Sequence, residues 1–384
     1  MKKQRNSEAI KVAFPVAATW FGALFGPSLL SGAYAAAYFL PYGSYAVVLP
    51  FIAFTVICVF AGLGANIVRL NKTYDYASFA RVLYGRAYKI LMPLLDYDIL
   101  MAMCLGGASC IATVSVLMET RFGVNPLVAA VVFSALALLI AVYGENAVRK
   151  FSSVMTFVMM AAFLLFALLF VIFGSENIGS AMSNWAPSEG RSLSQGIRGA
   201  ILLGLSNFGM VGGTLCAVEQ KVTTAKECRL IGLLSYFMNS TLMAVGAFML
   251  IPFCPEILGE ATPTVTIMAN YIAEKYPFIT TGYYILMFMA LITSAVPQAH
   301  AVTSRVERMA NRSGDSSPAG KRKRIFVVGS VYFVVCILLS FLGLMTIVSK
   351  GYSFSAYLHL CLLAIPIVLW YIRTILKKGK NAAL

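Results

Sequence analysis

Apolar residues run in blocks long enough to cross a bilayer, and these blocks organise the whole chain. They fall at about 11–40, 45–67, 88–118, 126–145, 148–174, 196–220, 229–252, 279–305, 325–348 and 353–374. A helix of about 20 apolar residues spans a hydrocarbon layer, so the pattern predicts an all-α polytopic membrane protein with ten transmembrane helices. After the second block, the stretch 74–86 alternates apolar and polar residues at helical spacing, with Tyr76, Phe79 and Leu83 on one face. It predicts an amphipathic helix on the inner surface. A polar outer loop at about 175–195, a proline-punctuated outer loop at 253–278 and a basic inner loop at 306–324 leave no room for a soluble domain. Residues 1–384 therefore read as a single transmembrane domain.

Two blocks are interrupted. The first contains Gly22, Ala23, Leu24, Phe25, Gly26 and Pro27; the sixth contains Gly204, Gly209, Gly212 and Gly213. Proline removes a backbone donor and glycine adds freedom, so helices break at such places. In lipid, the freed groups are tolerated only where protein or a watery cavity satisfies them. The ten spans divide five plus five, with an interrupted span heading each half. An odd number of spans per half forces the halves into opposite orientations, which predicts a 5+5 inverted repeat over about 11–174 and 196–374 with spans one and six discontinuous. Paired interruptions of this kind point to a binding site. The repeat shows in hydropathy and glycine placement rather than in residue identities.

Composition agrees: 60% of residues are hydrophobic and 12% charged, against about 25% charged in soluble domains. The net charge of +15 raises the possibility of nucleic-acid binding, which the distribution removes. With the amino terminus inside, only Arg121, Arg191, Arg198, Lys275 and Lys350 of the 30 basic residues fall outside. That asymmetry sets orientation in the membrane. It predicts a multi-pass protein of the cell membrane with both termini cytoplasmic, a lipid bilayer as partner and no nucleic acid. Most of the eight cysteines lie in apolar runs or on the inner side and read as small packing residues; Cys254 alone reads as exposed outside. The basic head and apolar stretch at the start imitate a signal peptide, but the stretch is too long for one and reads as a mature helix.

The residues resemble the amino acid–polyamine–organocation superfamily, with its leucine-transporter fold. Gly22 and Gly26 resemble that fold's unwound glycine segment, and Ala290, Thr293 and Ser294 resemble its sodium-site motif. Span count and surface helix are similar to the YkvI-like permeases. The resemblance implies a sodium ion held by the carbonyls of Gly22, Phe25 and Ala290 and the hydroxyls of Thr293 and Ser294, with no further cofactor. Such oxygens suit a hard cation; the alternative is that the hydroxyls bond back to their own helix. It also implies a small, zwitterionic substrate between Gly22, Ala23, Leu24, Phe25, Gly26 and Ser206, Asn207, Phe208, Gly209. Helix amino termini would favour a carboxylate, Ser206 and Asn207 would add hydrogen bonds, and Phe25 and Phe208 would cover an apolar part. Close helix packing is the alternative use of these glycines. Pro27 departs from the family pattern, because it removes one donor.

Asp96 and Asp98 are the acids placed well inside a block. Two residues apart on a helix, they point to different sides, and intramembrane carboxylates mark proton carriers, amine ligands or gates. Glu219 and His300 are further coupling or gate candidates, and Glu307 is a candidate latch to the amino-terminal segment. No nucleophile with a base, metal-ligand cluster or phosphate loop suggests an enzyme. The sequence thus predicts a secondary active transporter, coupled to sodium or protons, for an amino acid or similar solute. Its alternative is a nutrient-sensing receptor subunit of the same fold.

Overall fold

A computed structural model describes residues 2–24, 27–143, 145–184, 186–218, 221–310 and 318–382. All regular structure among them is helical. The first span comprises α1 (Lys2–Leu24), α2 (Pro27–Leu30) and α3 (Ala33–Tyr38); the second is α4 (Leu49–Asn71). A short helix α5 (Tyr76–Tyr84) precedes α6 (Tyr88–Phe122), α7 (Pro126–Tyr143) and α8 (Glu145–Phe173), followed by α9 (Ser175–Asn184). The second half comprises α10 (Leu193–Val218), α11 (Ala225–Phe248), a short loop helix α12 (Pro263–Ile267), α13 (Pro277–Ala310) and α14 (Pro318–Ser340). A composite last span closes the chain: α15 (Leu344–Thr346), α16 (Tyr352–His359) and α17 (Ile365–Ala382).

Among the described residues, six segments are by themselves long and apolar enough to cross a membrane. A seventh is added if α8 and α9, bent by 80° between them, form one span. The remaining members of the ten are the interrupted first span, the shorter apolar helix α7 and α10.

The helices sort into two groups. In one, α1, α4, α10 and α11 pack together; in the other, α6, α7, α13 and α14 do. Exchanging each span with its counterpart five spans on converts the packing of α1 on α11 into that of α10 on α4. It likewise converts α6 on α14 into α13 on α7, and α1 on α8 into α10 on α16. The packing maps onto itself, as a 5+5 repeat requires.

The surface helix begins at Asp75, whose carboxylate accepts the Ser78 N–H at 2.9 Å and also the Ser78 hydroxyl. It ends at Gly85, with φ 53°, and buries Phe79 and Leu83. The hydroxyl and backbone donors of Ser78 hold the Asp75 carboxyl below its ordinary 3.8. A depressed value contributes stability above pH 3.8, lost as the pH falls through the lower folded-state value. Asp75→Ala should therefore cost about 1 kcal/mol of local stability at neutral pH. Asp75→Asn should keep the cap and remove its acid sensitivity, both read as hydrogen exchange of the amides in 76–84.

The loop 253–278 is structured: α12 and the π-helical turn Met268–Ile272 fill it. It docks through the Thr264 N–H, 3.2 Å from the Ser31 carbonyl, and through Arg121, 3.4 Å from the Val265 carbonyl. Cys254, expected to be exposed, is half-buried there. Burial, reinforced by Glu256, pushes its thiol up to about 12, so it is a poor nucleophile. Cys58, Cys104, Cys110, Cys254, Cys336 and Cys361 form no disulfide.

Candidate functional site

The first span is interrupted twice. α1 ends at Leu24 and α2 begins at Pro27. Phe25 and Gly26 lie outside the described residues, as does Glu219. The second interruption, not marked in the sequence reading, is at Ser31 and Gly32, where Gly32 takes φ 78°. The freed groups find partners: the Tyr283 hydroxyl of α13 donates to the Leu30 carbonyl at 2.9 Å, and Thr264 donates to Ser31.

Span six differs from expectation. α10 is helical without a gap through Gly204, Ser206, Asn207, Phe208, Gly209, Gly212 and Gly213. The expected break at 204–213 is corrected accordingly, and the reason is packing. A β-carbon at 204 would run into the Ala53 carbonyl of α4, and one at 209 into the imidazole of His359. Both glycines allow close approach rather than unwinding. Phe208 is buried against Phe60 of α4, ring centroids 5.8 Å apart. Ser206 and Asn207 both donate to the Leu203 carbonyl, at 2.9 and 3.0 Å.

Asn207 nevertheless joins a buried polar cluster. The Tyr34 hydroxyl of α3 donates to Asn207 Oδ1 at 3.3 Å. The Tyr34 ring lies 6.1 Å from that of Tyr352 of α16, whose hydroxyl donates to Ser109 Oγ of α6 at 3.1 Å. Ser28 of α2 stands beside both phenols. Four spans thus converge on one neutral, hydrogen-bonding centre directly after the first interruption. Of its members, only Asn207 was singled out from sequence. The missed signal lies in the last span: Tyr352, Ser355 and His359, at i, i+3 and i+7, are buried polar residues on one helical face.

That face belongs to a helix with π-helical turns on either side, Ile347–Gly351 and Leu360–Ala364. Such turns leave carbonyls without helical partners and recur at functional sites. Here two tyrosines take them: Tyr38 donates to the Val348 carbonyl and Tyr84 to that of Leu362, each at 2.6 Å. Between the turns, His359 meets Asp98 of α6.

The other sequence candidates separate. Asp96 pairs with Arg305 of α13, whose guanidinium also lies 5.9 Å from the centre of the Tyr76 ring. This ties α5, α6 and α13 together at their basic ends. The Thr293 hydroxyl donates to the Ala290 carbonyl at 3.0 Å, a back-bond that leaves its oxygen lone pairs available. Ala290 is buried; Thr293, Ser294 and His300 are partly buried. Gly22 lies in the last turn of α1.

Sequence comparison finds no matching family model and no matching curated protein. Structural comparison does find matches. MhsT in complex with L-phenylalanine aligns with a TM-score of 0.65 at 12% identity, over 94% of this chain and 88% of that one. A Na+-coupled sialic acid symporter aligns with a TM-score of 0.62 at 12% identity, over 92% and 78%. A mutant manganese transporter of Eremococcus coleocola aligns with a TM-score of 0.63 at 13% identity, over 94% and 78%. At these identities the likeness establishes the fold: the chain has the leucine-transporter fold.

Proposed function

We propose that the protein is a secondary active transporter of a small organic solute, an amino acid or similar zwitterion, working by alternating access in the cell membrane. The observation that carries this reading is the buried polar cluster of Ser28, Tyr34, Ser109, Asn207 and Tyr352 at the interrupted first span. Hydroxyls and an amide without a charged member suit a solute of no net charge. Irregular backbone at membrane depth is tolerated where it lines a site. That the solved structures of similar fold include a Na+-coupled symporter and a protein bound to L-phenylalanine supports the reading.

Sodium would be held by the carbonyls of Gly22, Phe25 and Ala290 and the hydroxyls of Thr293 and Ser294. Its chemistry there is that of a hard cation drawing together the end of α1 and a neighbouring helix. In liposomes, purified protein should accumulate an amino acid against its gradient when sodium is directed inward. Accumulation that ignores both sodium and proton gradients would refute coupling, and ligand binding without flux would favour a receptor. Sodium at about 100 times its dissociation constant should stabilise the protein by about 2.7 kcal/mol. Thr293→Ala combined with Ser294→Ala should abolish that thermal shift.

A further inference from the structure

Asp98 and His359 are both 0% exposed, and Asp98 Oδ2 lies 3.1 Å from His359 Nε2. The other ring nitrogen, Nδ1, lies 3.0 Å from the Leu205 carbonyl oxygen of α10. A carbonyl only accepts, so Nδ1 carries a hydrogen and donates it. In a neutral ring, Nε2 is then a bare lone pair facing a carboxyl oxygen. An ionised carboxylate also only accepts, and neither Asp98 oxygen has a hydrogen-bond donor among the described residues. Two facing acceptors sealed from water are strongly disfavoured. One proton between them removes the conflict, as a carboxylic acid facing imidazole or as imidazolium facing carboxylate.

We propose that Asp98 and His359 together bind one exchangeable proton, and that its release accompanies separation of α16 from α6 and α10, making the pair a proton-coupling site. The use of this proton rests on the transporter reading above; its presence does not. The proton comes from water on one side of the membrane and returns to water on the other, with no further reactant.

The surroundings favour such a linkage. The imidazole occupies the space where a β-carbon of Gly209 would be, two residues beyond Asn207 of the polar cluster. A proton lost from the pair leaves an uncompensated buried carboxylate, which the helices can relieve only by admitting water or a cation. Arg305 of α13 pairs with Asp96, and Arg198 of α10 donates to the Tyr357 hydroxyl; Lys350, before α16, is exposed. Tyr76 and Tyr84 of α5 lie within electrostatic reach of Asp98, and Tyr84 donates to Leu362. On α16, Tyr352 donates to Ser109, while Tyr332 and Cys336 of α14 bond the Met103 and Cys104 carbonyls. The π-helical turns flanking α16 give it two places to yield.

The chain has two histidines, so full-length protein carrying His300→Gln reports on His359 alone by isotope-labelled imidazole NMR. Between about pH 5 and about pH 9, Nδ1 should remain protonated while the Nε2 signal changes with pH. Wherever the folded pair holds a proton that the unfolded chain does not, the folding equilibrium constant should fall by up to tenfold per pH unit, read as a falling thermal midpoint. Asp98→Asn supplies an amide donor to Nε2 without a titrating group, so it should fold and lose this dependence. A bare Nδ1, or an Nε2 signal and midpoint that respond to pH no differently in Asp98→Asn, overturns the proton site.

The coupling is read separately, in liposomes holding a pH dye and given a mixture of the standard amino acids outside. Inward proton movement with wild-type protein and none with Asp98→Asn is expected; solute uptake without proton movement overturns the coupling role. No uptake of any solute, with the His359 signal still titrating, would remove the transporter reading and leave the proton site standing.

Discussion

Gly32→Val will lower the thermal stability of the protein by several degrees and loosen the loop 253–278 from the interrupted first span. Two independent costs meet at this residue. Its φ of 78° is a left-handed conformation costing about 1–2 kcal/mol for residues with a β-carbon, and more for a β-branched one. A β-carbon there would also lie 2.7 Å from Pro263 Cγ, 2.8 Å from Thr264 Oγ1 and 3.2 Å from Leu250 Cδ1. Overpacking of this sort adds about 1–3 kcal/mol. Gly190 separates the two costs: it has φ 73° and open space where its β-carbon would stand. Gly190→Ala should show the conformational cost alone, about 1 kcal/mol, and Gly32→Ala roughly twice that. Equal midpoints for Gly32→Ala and Gly190→Ala would mean that the loop contact contributes nothing. Because Thr264 also donates to the Ser31 carbonyl, Gly32→Val should speed hydrogen exchange at Thr264 in particular.

The same glycine shows where sequence reading stops. Span number, span order and the pairing of halves were legible, because the length of an apolar block is dictated by bilayer thickness. The cluster from Gly22 to Pro27 announced an interruption because proline and glycine coincide there. Gly32 did not, since a single glycine among Ser31, Ala33 and Ala35 reads as ordinary helix. At Gly204 and Gly209 the error ran the other way. Glycine in a helix serves unwinding or close packing, and only the neighbour decides: the Ala53 carbonyl in one case and the His359 ring in the other. His359 itself went unremarked because it interrupts no apolar run. Its meaning depends on Asp98, 261 positions earlier in the chain, which no local pattern connects to it. Asp98 carried a signal by itself, being a carboxylate at membrane depth.

Gly204→Val will separate α10 from α4 and should be among the most damaging single substitutions in the chain. The atom in the way is the Ala53 carbonyl oxygen, followed by Val56 Cβ at 2.9 Å. A flexible side chain could swing aside, but a backbone carbonyl moves only with its helix. Gly204→Ala should cost about 1–3 kcal/mol, and the valine substitution more, enough to consume much of a typical net stability of about 5–15 kcal/mol. Gly199, on the same helix, provides the contrast. Its β-carbon would sit 3.6 Å from Tyr38 Cδ1, ordinary contact, so Gly199→Ala should be neutral or stabilise by up to about 1 kcal/mol through helix propensity. Opposite signs for these two alanine substitutions are expected in thermal unfolding; equal effects would show that α10 and α4 are not packed backbone to backbone at this level. The consequence extends past stability. Leu205, whose carbonyl accepts from His359, directly follows Gly204. Displacing α10 therefore withdraws the acceptor that fixes the His359 tautomer, and with it the reason for Nε2 to face Asp98 as a lone pair. In any fraction of Gly204→Ala that remains folded, the His359 imidazole signal should shift toward a mixture of tautomers, while that of Gly199→Ala should match wild type.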